Sequence, residues 1–149
     1  IRVLLVKLAD RLDNMRTLEH MKIDSRERIA RETMEIYAPL AGRLGIQWLK
    51  AELEDLSFRH IHPEAAAELT EKVDRAARDT DRYVKDVCKK LKTMLISRGF
   101  ALEVSGRVKD LYSIHRKMKR QGIEFEQVHD YVAFRVHMET VADCYAALG

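Results

Sequence analysis

"FALEVSGRVKDLYSIHRKMKRQ", residues 100–121, is where the chain changes character. Up to Gly99 its apolar residues recur every three or four positions. From Phe100 to Gly106 the period drops to two, with Phe100, Leu102 and Val104 alternating against Ala101, Glu103 and Ser105. That alternation predicts a half-buried strand. Helical spacing returns over 107–121, where Leu111, Ile114 and Met118 share one side and Gly122 supplies a stop. Strand, helix, strand and helix after an all-helical half predict two domains, the second an α/β or α+β sheet that is cut short, and α+β is the class expected for the chain as a whole.

Upstream, residues 2–21 read as one helix. "IDSRER", 23–28, carries a start signal, with Asp24 as N-cap and Glu27 three residues on. The next helix runs through "IARETMEIYAPLAGRLG", 29–45; Pro39 is expected to bend it and Gly45 to end it. A third covers "WLKAELEDLSFRHI", 48–61. Pro63 then opens a long amphipathic stretch whose apolar positions include Leu69, Val73, Val84, Leu91 and Met94, up to Gly99. Downstream, "VHDYVAFRVHM", 128–138, is β-branched and aromatic, apolar except at Asp130 and Arg135. It reads as a central strand with Asp130 at its start. Thr140, with Asp143 three residues on, caps a last helix.

The 149 residues are 46% hydrophobic and 34% charged, a globular rather than a disordered composition. No apolar run is long enough to span a bilayer, and Cys88 and Cys144 show no disulfide or zinc spacing. A reducing cytoplasm suits two buried thiols. The chain opens without Met inside a helical pattern and stops early in another, so both ends read as cuts in a longer protein.

Charge is unevenly placed. Residues 85–120 hold eleven Lys or Arg against three acids, a net +8, which leaves −5 for the remainder. That asymmetry fits a polyanionic partner, nucleic acid or nucleotide phosphate, as well as a solvated helix face. Within it, Lys109, Ser113 and Lys117 stand at i, i+4 and i+8, expected on one helical line with Arg107 at its start. Two ammonium groups, a hydroxyl and a guanidinium at a helix N-terminus suit a polyphosphate. Asp130 can serve as a Mg²⁺ ligand beside them or as an ion-pair partner. His129 and Asp130 are adjacent in a strand-like run and would point to opposite faces, which is poor geometry for one metal.

A second polar line lies on the first helix, within "VKLADRLDNMRT", residues 6–17. Lys7, Asp10, Asn14 and Thr17 share one line, beside Leu5, Leu8, Leu12 and Met15. Spacing alone favours a solvated face over a converging ligand site.

Two separate groups of motifs resemble one family. "KLADRLDNMRTL", "ETMEIYAPLAGRLGI" and "ELEDLSF" are similar to the C-terminal part of the hydrolase domain of the long RelA/SpoT-type bifunctional alarmone enzymes. "SGRVKDLYSIHRKM", "HDYVAFRV" and "DCYAALG" resemble the opening of their synthetase domain. The resemblance covers essentially the whole chain, in order. It implies an HD-type hydrolase part over 1–62, a helical connector over 63–99, and the first half of a nucleotidyltransferase-like mixed-sheet synthetase over 100–149. It further implies pyrophosphate transfer from ATP to the 3′-hydroxyl of GTP or GDP, with Mg²⁺, and Mn²⁺-dependent removal of that group from (p)ppGpp.

By motif, Asp10 corresponds to a hydrolase metal ligand, Asn14 to a nucleotide-holding residue and Thr17 to a position near base or sugar. Arg107, Lys109, Ser113 and Lys117 correspond to nucleotide-phosphate residues, and Asp130 to the catalytic, Mg²⁺-binding carboxylate. The ribosome would be reached through parts of a longer parent, and no membrane is implied. Asp13 stands where the family often has His, off the polar line. With the other metal ligands and the later synthetase half missing, the isolated chain is expected to be nearly inert. A non-catalytic helical module binding RNA through 85–120 is the competing expectation.

Overall fold

The computed structural model describes residues 2–148. They form two compact units, one comprising the chain up to Glu71 together with Asp110–Phe125, the other Lys72–Lys109 together with Glu126 onward.

The first unit is helical. Helix α1 (Arg2–Arg16) turns Leu8, Leu12 and Met15 inward. It ends earlier than the expected 21, passing through a 3₁₀ turn at Leu18–His20. Helix α2 (Ile23–Glu32) starts from Lys22, with Asp24 in the first turn and no side-chain cap, so the predicted capping box at Asp24 does not form. The backbone around Pro39 explains the next feature. Proline has no N–H to give to the preceding turn. The helix widens into a π turn at Thr33–Tyr37, in which the Ala38 N–H reaches back to the Thr33 carbonyl, and then continues as α3 (Ala38–Arg43). Gly45, at φ +78, ends the run as expected.

Helix α4 (Gln47–Ile61) contributes Leu49 and Leu53 to a core built with Leu8, Leu12, Met15, Leu18, Ala30, Ala38 and Ala41. The three alanines let neighbouring helices approach closely. Each fully buried leucine is worth about 1.5–3 kcal/mol relative to exposure.

The long amphipathic stretch is a single helix, α5 (Pro63–Ser97), closed by Gly99 at φ +90. In the second unit, β1 (Leu102–Val108) pairs antiparallel with β2 (Val132–Met138), Leu102 opposite Met138 and Val108 opposite Val132. Between them in sequence lies α6 (Leu111–Gln121), and α7 (Val141–Leu148) follows β2. The α+β class holds, as a mainly helical chain with a two-stranded sheet. The expected helix from 107 is corrected, because β1 runs on to Val108. Those residues stay extended since Gly106, Arg107 and Val108 still have partners in β2. The expectation of a central strand is corrected likewise: among the described residues β2 pairs only with β1. Thr140 does cap α7, its Oγ1 accepting the Asp143 N–H at 3.1 Å and donating to the Asp143 carboxylate at 2.7 Å.

Gly106 sits where β1 crosses α5. A Cβ there would run into the Val84 Cγ1 methyl, with Cys88 Sγ 3.7 Å away. A β-branched side chain has little rotamer freedom with which to yield. Gly106→Ala should therefore destabilise the protein by about 1–3 kcal/mol, read as a lower urea midpoint. Adding Val84→Ala should recover a large part of that loss, and failure of the double variant to recover any would contradict the close approach.

Candidate functional site

The polar line of α1 owes its direction to the opposite side of the helix. Besides the three buried apolar residues, Arg11 anchors α1 inward. Its guanidinium donates to Glu32 at 3.2 Å and to the buried Thr33 hydroxyl at 3.4 Å, and lies 4.0 Å from the Tyr37 ring centroid. With that side fixed, Asp10 and Asn14 are exposed, and the Asn14 amide donates to the Asp10 carboxylate at 3.3 Å. Thr17 lies beyond the end of α1. Its hydroxyl turns back to the Asp13 carbonyl at 3.2 Å. The structure thus joins Asp10 and Asn14 in one exposed pair and leaves Thr17 serving the helix end.

The basic constellation is arranged differently from its sequence spacing. Lys109 is not helical. It precedes Asp110, and its backbone N–H donates to the Tyr131 carbonyl at 2.8 Å, one step past the last pair of the strand ladder. That bond brings its side chain to Asp130, with Nζ and Oδ2 2.8 Å apart. Asp130 itself lies in the turn before β2, not at its first residue. The side chains are 35% and 51% exposed, so the pair contributes only about 0–1 kcal/mol of stability. Its interest is chemical: a positioned ammonium and carboxylate accessible from outside.

Arg107, on β1, borders a hollow of about 150 Å³ with Thr80, Asp81, Val84, Gly106 and Val132. That is too small to enclose a nucleotide, for which pockets run to about 300–1,000 Å³. Ser113 and Lys117 belong to α6 in the first unit, both partly buried, one turn apart. The single helical line containing Lys109, Ser113 and Lys117 is therefore corrected to a two-residue line, with Lys109 outside the helix between β1 and α6.

The N-terminus of α6 brings a further correction. Its amides are not offered outward to a phosphate. Asp55, on α4, accepts the Leu111 N–H at 3.1 Å through Oδ2 and the Tyr112 N–H at 2.8 Å through Oδ1. Asp110, the residue in the N-cap position, makes no side-chain capping bond. Burial pushes the Asp55 carboxyl above its usual value, opposed by these two backbone donors. Neither Asp55 nor Arg11 was legible as a site residue. Asp55 is more than fifty residues from its partners, beyond any local capping signal. Arg11 had a faint one, since a cation beside Leu8, Leu12 and Met15 must sit at the edge of the buried face.

Among the described residues no three His, Cys, Asp or Glu side chains gather as a metal site. Asp10 and Asp130 each offer one carboxylate. One carboxylate can supply a single ligand to a divalent ion whose other ligands are waters and substrate phosphates, so each residue fits such an ion as one contributor and not as a complete site.

Comparison with known proteins accounts for both halves. Residues 1–47 match the HD domain family, and residues 106–149 match the region found in RelA / SpoT proteins. Over its whole length the chain is 52% identical to a GTP pyrophosphokinase of Myxococcus xanthus. It is 47% identical to the GTP pyrophosphokinase rsh of Brucella ovis and, equally, to a guanosine-3′,5′-bis(diphosphate) 3′-pyrophosphohydrolase of Haemophilus influenzae. The chain belongs to the RelA/SpoT family. It spans about a fifth of the length of these relatives, covering 20%, 20% and 22% of them. In this family member the Asp10–Asn14 pair falls in the HD match, and the Lys109–Asp130 pair falls in the RelA/SpoT match.

A ring cluster beside Asp55 makes the α4–α6 contact sensitive to pH. His115 of α6 lies with its centroid 4.5 Å from that of the buried Phe58, which also meets Tyr112 at 5.9 Å. Burial, then the neighbouring Lys119 and His62, lower the His115 pKa from its usual 6.5. The unfolded chain takes up this proton before the folded one does. The contribution to stability is thus complete above pH 6.5 and is lost as pH falls toward the lowered folded value. His60, lowered mainly by burial, acts in the same direction. As pH falls below 6.5 the two histidines should lower the melting temperature, against the opposing effect of the raised Asp55 and Glu54 carboxyls, and His115→Phe should flatten the histidine part of the decline. An unchanged slope in that variant would remove His115 from the account.

Proposed function

We propose that this chain supplies part of the machinery of a (p)ppGpp-metabolising enzyme. Its second part serves transfer of pyrophosphate from ATP to the 3′-hydroxyl of GTP or GDP, and its first part serves removal of that group. The observation that carries the reading is the Lys109–Asp130 pair, set at 2.8 Å by a backbone bond within the segment matching RelA/SpoT proteins. Phosphoryl-type transfer asks little covalent chemistry of a protein. It asks for positioned cations against the phosphate oxygens and a carboxylate placed near the reacting oxygens.

In this reading Lys109 binds phosphate and offsets the charge that develops on it. Arg107, Ser113 and Lys117 add phosphate contacts, and Asp130 is the catalytic carboxylate. Asn14 and Thr17 hold nucleotide on the hydrolase side, next to Asp10. The HD and RelA/SpoT families are typically divalent-metal dependent. A bound ion would neutralise phosphate charge, Mg²⁺ on the synthetase side and Mn²⁺ on the hydrolase side. Asp130 and Asp10 would each supply a single ligand. The finer architecture belongs to the same proposal: an HD-type hydrolase part over 1–62, a connector over 63–99 and a nucleotidyltransferase-like part over 100–149. So does a cytoplasmic setting; no helix among the described residues is long and apolar enough to cross a membrane.

The RNA-binding alternative draws no comparable support. The basic stretch is divided between α5, β1 and α6, and part of it is internally paired, as Lys85 is with Asp81.

In the full-length protein that carries this sequence, Asp130→Asn should lower pyrophosphate transfer by about a hundredfold or more and spare (p)ppGpp hydrolysis. Asp10→Asn should do the reverse. Both rates are read from one preparation by separating labelled nucleotides. Transfer that survives Asp130→Asn would overturn the reading.

A further inference from the structure

The two carboxylate oxygens of Asp55 are divided between two consecutive amides, Leu111 and Tyr112. These are the first two residues of α6, whose N–H groups have no partner within the helix. One acceptor would hold the helix end as a pivot. Two acceptors on a rigid carboxylate fix its direction and its rotation together. Asp110, the local candidate for this task, makes no side-chain capping bond. Beneath the pair, the buried ring of Phe58 lies one helical turn along α4 from Asp55 and meets Tyr112 and His115 of α6. The other side of α4 is locked by Leu49 and Leu53 into the core that also holds Leu8, Leu12 and Met15 of α1.

We propose that Asp55 is a positioning residue for nucleotide-phosphate binding: from α4 it sets the axial placement and rotation of α6, and thereby of Ser113 and Lys117. This rests on the reading of those two residues as phosphate contacts. Asp55 touches no substrate. It occupies the helix N-terminus that a phosphate would otherwise use, so α6 presents side chains, not its terminal amides, to an anion. Placement matters steeply in such a role, since a displacement of about 1 Å can cost about a hundredfold in rate.

The test uses Asp55→Asn, Asp55→Ala and Asp55→Glu in the full-length protein carrying this sequence. Two readouts are taken: amide hydrogen exchange over residues 110–114, and the ATP dependence of pyrophosphate transfer. An asparagine offers one acceptor oxygen and turns an NH₂ toward the second amide. Asn and Ala should therefore speed exchange at Leu111 and Tyr112 by about tenfold or more. They should also raise the KM for ATP by about tenfold, with a smaller change in kcat. Glu keeps both acceptors and should recover part of each effect. Asp130→Asn, run alongside, separates the failures. If it leaves transfer intact, the functional reading falls. If it abolishes transfer while the Asp55 variants keep the parental KM, Asp55 has no positioning role, and faster exchange would mark it as a cap alone. Should Asp55→Ala fail to fold, the Asn and Glu variants decide by the same two readouts.

Discussion

A helix that begins in the interior of a fold must have its first amides answered, and in α6 the answer comes from outside the local sequence. Asp55 accepts both Leu111 and Tyr112, and it can do so only because α4 is held by a different side. Helix α4 has two loyalties: Leu49 and Leu53 face the core shared with α1 and α3, while Asp55 and Phe58 face α6. The first commitment is apolar and non-directional, and it sets where the α4 axis lies. The second is directional, and it sets where the next element begins. A shift in the hydrophobic core would therefore be felt at α6 as a change in hydrogen-bond geometry.

Similar economy governs the Lys109–Asp130 pair. Neither residue lies in a regular element; each stands just beyond the strand ladder, one after β1 and one before β2. The antiparallel register brings those two ends together, and the bond from the Lys109 amide to the Tyr131 carbonyl completes the approach. Gly106 allows β1 to lie against α5 where any side chain would meet Val84. An exposed ion pair contributes little to stability, so the backbone bonds and the glycine crossing, and not the pair itself, hold this region together.

Membership of the RelA/SpoT family gives these two places a common context. The Asp10–Asn14 pair lies in the segment matching the HD domain and the Lys109–Asp130 pair in the segment matching the region found in RelA / SpoT proteins, and each presents one carboxylate. The chain covers about a fifth of its relatives, one named a GTP pyrophosphokinase and another a guanosine-3′,5′-bis(diphosphate) 3′-pyrophosphohydrolase.

What the sequence determined by itself was what repeats or acts locally. The change of period at Gly99, the glycine stops, the Thr140–Asp143 cap and the polar line of α1 all depend on neighbours a few residues away. The family motifs were equally legible, because residue type and spacing carry them. Local reading failed where a distant partner outweighed a local preference. Asp24 had the spacing of a cap, yet α2 begins from Lys22. Lys109 had the spacing of a helical residue, yet the ladder with β2 kept the chain extended through Val108. Asp55 carried no signal at all, since its partners lie more than fifty residues away. Only the tertiary structure could decide these, because a backbone hydrogen bond is strong, directional and indifferent to separation along the chain. Which amide it satisfies depends on which segments the core has already brought together.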